Sequence, residues 1–382
     1  MSEARIDSIS NELNTGGPVL SGITEFSGQQ YFIPPSGITA ERPTDCPPGS
    51  IRFNTDSAHL EYWNGLVWLE FEASSEELGD QNQTNSAGGT GHRGLFAGGL
   101  TPTLVDRIDY ISISTLGNSQ DFGDLVSATR LAAGCASAIR GIFAGGNSPS
   151  PTKSNKIDLV TIASTGNALD FGNLTRATNQ HAACSNSTRG ITAGGDSDPA
   201  ATDIIDYITI ASTGNAVDFG NLLAAREQLS ACAGSVRGIF GGGYGGWSAH
   251  NTIQYITFAS TGNSQDFGDL TSTRTFAGSC SNSTRGLWGG GVYPTPSNTL
   301  IDFITIASTG NAQDFGDLTV GRFILDACSS STRGVFGGGY TGQLVDTIDF
   351  VTILTTGNGV DFGNLQSTTH SAAACSNGHG GL

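Results

Sequence analysis

Lysine is nearly missing from this chain: there are two, Lys153 and Lys156, in 382 residues, and methionine occurs once, as Met1. With 17 basic residues against 34 acidic ones the formal charge is −17. Such a surface repels nucleic-acid phosphate and anionic membranes, so neither is expected as a partner. Long hydrophobic runs are missing too, since no segment nears the ~18 apolar residues of a membrane span. The opening MSEARIDSISNELNT has neither the basic nor the apolar stretch of a signal peptide, which predicts synthesis in the cytoplasm without membrane insertion. Close cysteine pairs of the Cys-x-x-Cys kind do not occur, so no structural zinc site is expected. A nucleophile elbow, a phosphate-binding glycine loop and a paired acid/base motif are equally lacking. No enzymatic activity, metal or cofactor is expected.

Glycine, by contrast, is abundant at 55 residues, which disfavours long helices, and it is arranged in a repeat. Asp-Phe-Gly recurs at Asp121, Asp170, Asp218, Asp266, Asp314 and Asp361, at intervals of 47 to 49 residues. Fourteen residues after each comes a cysteine: Cys135, Cys184, Cys232, Cys280, Cys328 and Cys375. Arg-Gly follows five residues after each of the first five, and Arg93-Gly94 opens the first such run. A period of this length specifies a repeat architecture before any detail of secondary structure is considered.

Within one copy, four short strands are expected. Residues 280 to 328 serve as the type. Strand a is the small-residue run around Cys280, strand b is Gly286 to Gly291, and strand c is Leu300 to Ala307, whose apolar and polar residues alternate with a period of two. A Gly310-Asn311 turn then leads to strand d at Asp314-Phe315-Gly316. Four antiparallel strands at this spacing describe a propeller blade, so the fold class is all-β, with a six-bladed propeller over residues 93–382. The first copy begins at strand b and the last ends at strand a. Ser371 to Cys375 is therefore expected to close the first blade as its innermost strand, removing the open edges; Thr84 to Thr90 is the rival, with Gly88 in the cysteine position.

The order of an arginine, a small-residue strand, an apolar strand ending in Gly-Gly and a strand with an aromatic, well seen from Arg322 to Gly339, resembles the kelch repeat. The resemblance spans residues 93 to 376. It departs at strand d, where the kelch tryptophan is absent and the phenylalanine of Asp-Phe-Gly takes its packing role.

Residues 1–78 lack the repeat and read as an attachment and oligomerisation segment, with a three-stranded meander at 48–71 and a polar linker at 79–92. Phe53, Tyr62, Trp63, Trp68 and Phe71 give the meander more apolar surface than so small a unit hides alone, so burial against another chain is expected. The run Pro48-Gly-Ser-Ile-Arg-Phe-Asn-Thr55, with Leu60-Glu-Tyr-Trp-Asn-Gly-Leu-Val-Trp68, is similar to N-terminal segments of virion proteins of tailed phages, marine cyanophages above all. Ala307 to Leu318 likewise resembles repeats in their structural proteins. The resemblance implies a virion protein, joined to other virion proteins through residues 1–78 and assembled as a homo-oligomer, with a trimer suiting a fibre.

Other motifs carry structural expectations. The Asp-Phe-Gly aspartates are expected to cap the turn after Gly-Asn through backbone N–H groups, and the phenylalanines to fill gaps between blades. The six cysteines are expected to be small, buried and reduced. For the Arg-Gly arginines, ion pairs with the repeated aspartates are favoured over an anion-binding ring. His59, His92, His181, His250, His370 and His379 share no register, so no common metal cage or base is indicated.

Comparing the copies locates a candidate binding face. The a–b and c–d turns barely vary, whereas the six b–c loops (100–107, 147–156, 196–203, 244–252, 292–299 and 340–347) all differ, and recognition favours loops released from a scaffold constraint. Tyr244, Trp247, His250, Tyr293, Asn298, Tyr340 and Gln343 are the candidate ligand residues, aromatic planes with amides nearby that suit the faces of sugars. The competing reading is that they only cover blade edges. The expected function is that of a non-enzymatic tail fibre or adhesin whose propeller binds a host-surface polysaccharide, located in the virion. The alternative is a decoration or connector protein that binds only other virion proteins.

Overall fold

The structure, a computed structural model, describes residues 34–56, 59–70, 92–149, 152–292 and 297–382. The chain divides into two compact units, Met1–Ser75 and Glu76–Leu382. Among the described residues the regular elements are β-strands, apart from one 3-10 turn at Thr39–Glu41.

In the first unit the expected meander is present as Ile51–Asn54, His59–Trp63 and Trp68–Glu70. A further short strand, Ser36–Gly37, pairs parallel with Ile51–Asn54. The register places Arg52, Asn54, Glu61, Trp63 and Trp68 on one face and Ile51, Phe53, Leu60, Tyr62 and Leu69 on the other. The better buried face is the polar one: Glu61 is fully buried, accepts from Asn54 Nδ2 at 2.7 Å and pairs with the Arg42 guanidinium.

The second unit contains six four-stranded antiparallel sheets, each in the order a–b–c–d. The second to sixth start at Ala133–Ala136, Ala182–Ser185, Ser230–Ala233, Gly278–Ser281 and Asp326–Ser329. The first is composite: Ala373–Ser376, from the end of the chain, pairs antiparallel with Arg93–Ala97, followed by Arg107–Ser112 and Gln120–Asp124. Strand b of the type copy is Arg285–Gly289 and strand c is Leu300–Thr305. Both end earlier than expected, strand b because Gly290 and Gly291 turn the chain at φ +71° and +96°.

Successive sheets are joined by bonds that recur at every junction, including the one from the sixth sheet back to the first. At the outer strands, Asp-Phe-Gly meets the next sheet's Gly-Asn turn. Gly166 N–H donates to Phe122 O at 2.7 Å, and Asp124 N–H donates to Asn167 Oδ1 at 3.1 Å; from sixth to first, Asn364 N–H donates to Asn118 Oδ1 at 3.0 Å. A Cβ on Gly123, at φ +144°, would lie 2.5 Å from Gly166 O, so this position must be glycine. The turn-stabilising acceptor is therefore asparagine. The Asp-Phe-Gly aspartates, expected to cap that turn, are exposed in all six copies because their strand position points outward. Each phenylalanine is buried; Phe122 packs with Phe143, Val160 and Ile162 of the second sheet.

The Arg-Gly arginines also differ from expectation. Each donates to a carbonyl at the end of the next sheet's strand c: Arg93 to Ile162 O at 2.9 Å and, across the last junction, Arg333 to Ile113 O at 3.0 Å. Five lie over an aromatic of their own strand c, such as Arg237 over Tyr255 with 4.6 Å to the ring centroid. The ring of its own strand covers the guanidinium and a carbonyl of the next sheet accepts its hydrogen bond, so no carboxylate is needed. The glycine beside each arginine faces a cysteine of the preceding sheet: Gly190 faces Cys135 Sγ and Gly94 faces Cys328 Sγ, leaving no room for a Cβ. All six of these cysteines are buried free thiols, and burial pushes Cys135 up to about 12.

Candidate binding face

The b–c loops and d–a connections emerge together. Arg130, Asn179, Glu227, Thr275, Phe323 and His370, just before strand a, form antiparallel bridges with Asn147, Asp196, Tyr244, Val292, Tyr340 and Leu100 of the b–c loops. Next to them, Leu131, Gln180, Gln228, Phe276, Ile324 and Ser371 all have φ between 54° and 60°. Their backbones bond in sequence, Gln180 N–H to Leu131 O at 3.1 Å and onward to Ser371, whose carbonyl accepts from Leu131 at 2.9 Å. Six non-glycine residues held in the left-handed region are costly singly; the mutual bonds hold them there. Beyond them the a strands enclose a cavity of about 130 Å³. The residues after Ser376 reach its wall, with half-buried His379 Nε2 on Ala136 O at 2.8 Å and Gly380 N–H donating to Ser281 O at 2.9 Å.

Three of the seven candidate ligand residues lie on one hairpin. Tyr244–Gly245 and Ser248–Ala249 pair as two short strands around a two-residue turn, Gly246-Trp247, with φ +57° and +71°. That is the sign pattern of a type I′ turn, which favours glycine or asparagine at both positions. Trp247 is 93% exposed there. His250 Nε2 meets Gly245 O at 2.9 Å and Ser248 Oγ at 3.2 Å, which ties the base of the hairpin together. Tyr340 belongs to another group: it sits edge-on between Phe323 and His370, with ring centroids 5.6 and 6.0 Å away. Gln343 is exposed in the same loop. Asn298 is anchored through its backbone to Gly291 and Arg322. Tyr293 lies outside the described residues, as does Phe71 of the oligomerisation set. Of that set, Phe53 and Tyr62 share the apolar sheet face, while Trp63 and Trp68 lie on the opposite one, where Trp68 Nε1 donates to Pro43 O at 3.1 Å.

Charges on this candidate face are largely neutralised in place. Lys153 Nζ bridges Asp196 at 2.8 Å and Asp198 at 2.6 Å. Burial raises the pKa of Glu227, and Asp196 adds to the shift. Arginines of two successive repeats, Arg274 and Arg322, are buried on Asp302 and Asp349 at 2.8 and 3.0 Å. Arg226 occupies the same repeat position, eight residues after the Asp-Phe-Gly aspartate, but the residue corresponding to Asp302 is Gln254. Gln254 Oε1 is already engaged by Leu223 N–H at 2.8 Å and Ser264 Oγ at 2.7 Å. Sequence reasoning missed Arg226, Phe323 and His370; the aspartate-to-glutamine break at Gln254 was the signal for the first.

Among the described residues, no cluster of three His, Cys, Asp or Glu could hold a metal ion, and no helix is long and apolar enough to cross a membrane. No family model matches the chain, and no curated protein matches it.

Proposed function

We propose that this is a non-enzymatic phage virion protein, a tail fibre or adhesin, in which the six sheets are blades of one closed kelch-like propeller that binds host-surface glycan through its b–c loops. Bonds running from the sixth sheet to the first support closure, because an open array would leave those donors and acceptors at an edge. The observation that carries the binding reading is Trp247. An aromatic in a conformation suited to glycine, almost wholly exposed, costs stability and gains little from packing, the pattern of a residue kept for contact with a ligand. Indole faces stack on the apolar faces of sugars. Weak binding at one such site gains from multiple copies on a particle through avidity, and the apolar face of Ile51, Phe53, Leu60, Tyr62 and Leu69 suits contact with another chain. The virion assignment rests on the similarity of residues 48–68 and 307–318 to phage structural proteins.

The test is binding of the labelled full chain to candidate host cells, with purified surface polysaccharide as competitor. Saturable, competed binding that Trp247→Ala lowers at least ~10-fold, on the order of 1.4 kcal/mol, is the expected result. Binding to virion proteins alone would move the assignment to a connector or decoration role.

A further inference from the structure

The uncompensated cation at the base of the Trp247 hairpin has consequences for which sugar the face accepts. Arg274 and Arg322 show what this repeat position does when its carboxylate is present: the guanidinium turns inward, loses nearly all exposure and bonds to the aspartate and to backbone carbonyls, Leu300 O at 3.1 Å for one and Phe336 O at 3.1 Å for the other. In the fourth sheet the aspartate is replaced by neutral Gln254. The Arg226 guanidinium has no hydrogen-bond or ion-pair partner among the described residues; its Nε is buried without one, as are those of Arg274 and Arg322, so the difference lies at its two Nη groups, which in the other two arginines are bonded. It has moved toward the hairpin instead: a Cβ on Gly245 would lie 3.0 Å from its Nη1. Gly245 is two residues from Trp247. The neighbouring Glu227 interacts with Asp196 and Lys153 rather than with Arg226. A half-buried arginine with unused donors is unfavourable in the free protein and becomes favourable when an anion supplies a bidentate acceptor.

We propose that Arg226 and the Trp247 hairpin form a site for an acidic saccharide, a sugar bearing a carboxylate or sulfate ester, with the sugar face on the indole and the anion on the guanidinium. This rests on the glycan-binding reading above and specifies the class of sugar. It also answers a difficulty of that reading, since a chain of charge −17 repels polyanions unless a local cation receives them.

The experiment uses the full chain and four immobilised polymers: polygalacturonate, its fully methyl-esterified form, dextran sulfate and unmodified dextran. Wild type is expected to bind polygalacturonate or dextran sulfate at least ~10-fold more tightly than the matching neutral polymer; the stronger of the two identifies carboxylate or sulfate as the anion. Arg226→Gln should remove that preference with unchanged melting temperature, while Trp247→Ala should weaken binding to charged and neutral polymers alike. Equal binding of charged and neutral polymers by wild type, or an anion preference that survives Arg226→Gln, overturns the acidic-sugar proposal and leaves the glycan reading standing. Failure of wild type to bind any of the four, together with failure to bind host cells, overturns both.

Discussion

Arg274 and Arg226 occupy one position in successive repeats and have opposite surroundings. On one flank of the fourth sheet, at its junction with the fifth, Arg274 is 1% exposed and paired with fully buried Asp302; on the other, at the junction with the third, Arg226 is half-buried and the residue in the aspartate's repeat position is neutral Gln254, whose Oε1 is taken by Leu223 N–H. The first arrangement is architectural, since it satisfies a carboxylate that the preceding sheet also uses: Thr271 N–H donates to Asp302 at 3.1 Å and its hydroxyl at 2.6 Å. The second keeps the same backbone joint, with Leu223 N–H on Gln254, but withholds the charge. Changing the partner rather than the arginine itself thus frees a cation that is structural in the next repeat, and the acidic-saccharide proposal uses it as a ligand position.

Removing the structural pairing should have the largest effect. Asp349→Ala strands Arg322, which is fully buried, and is expected to cost about 3–5 kcal/mol by urea denaturation; Arg226→Met, with no partner to strand, should stay within about 0.5 kcal/mol. Similar losses in both variants would mean that the two arginines are equivalent and the comparison is wrong.

Asp326 is a further titratable group of the interior, on the cavity wall. It accepts from Ala374 N–H at 2.7 Å and Ala327 N–H at 2.8 Å, has the buried thiols of Cys280, Cys328 and Cys375 as titratable neighbours, and is pushed by burial from 3.8 to about 7. The folded state therefore holds a proton that the unfolded chain releases between those values. Stability should fall as pH rises through that window, by on the order of 1.4 kcal/mol per pH unit at most, and Asp326→Asn should remove the slope. Melting temperatures of the two proteins from pH 4 to pH 7 measure it.

Gly94→Ala sets a new methyl against Cys328 Sγ at the junction of the sixth and first sheets. Overpacking there is expected to cost about 1–3 kcal/mol, with partial rescue by Cys328→Ala. Absence of coupling between the two changes would argue against that junction. A smaller effect of opposite sign is the most diagnostic for the candidate binding face: Trp247→Gly relieves the positive φ and should raise stability by about 0.5–1 kcal/mol while lowering polysaccharide binding at least ~10-fold.

Much of this architecture was legible because the repeat made the chain its own reference. The register of Asp-Phe-Gly, cysteine and Arg-Gly located all four strands of each sheet and the closing role of the C-terminal strand, whose Ala373–Ser376 pairs with Arg93–Ala97. The partners of the repeated charges were not legible, because pairing was assigned by charge sign. The Arg-Gly arginines satisfy carbonyls across a junction, and asparagine rather than aspartate stabilises the outer turns; both choices depend on which side of a strand faces the next sheet. On the candidate binding face, Trp247 stood out as an aromatic in a variable loop. Arg226 did not, because its significance lies in the residue missing opposite it, 28 positions later at Gln254.

The most direct test of the central claim, that a sugar rests on the exposed indole of the fourth sheet's hairpin, is tryptophan fluorescence of the full chain titrated with polygalacturonate and with dextran sulfate. Trp247 is the exposed indole of the second unit, whereas Trp288 there is fully buried. The account predicts a saturable blue shift or quench with the polymer that binds, absent in Trp247→Phe. Binding of either polymer with Trp247 emission unchanged would contradict it.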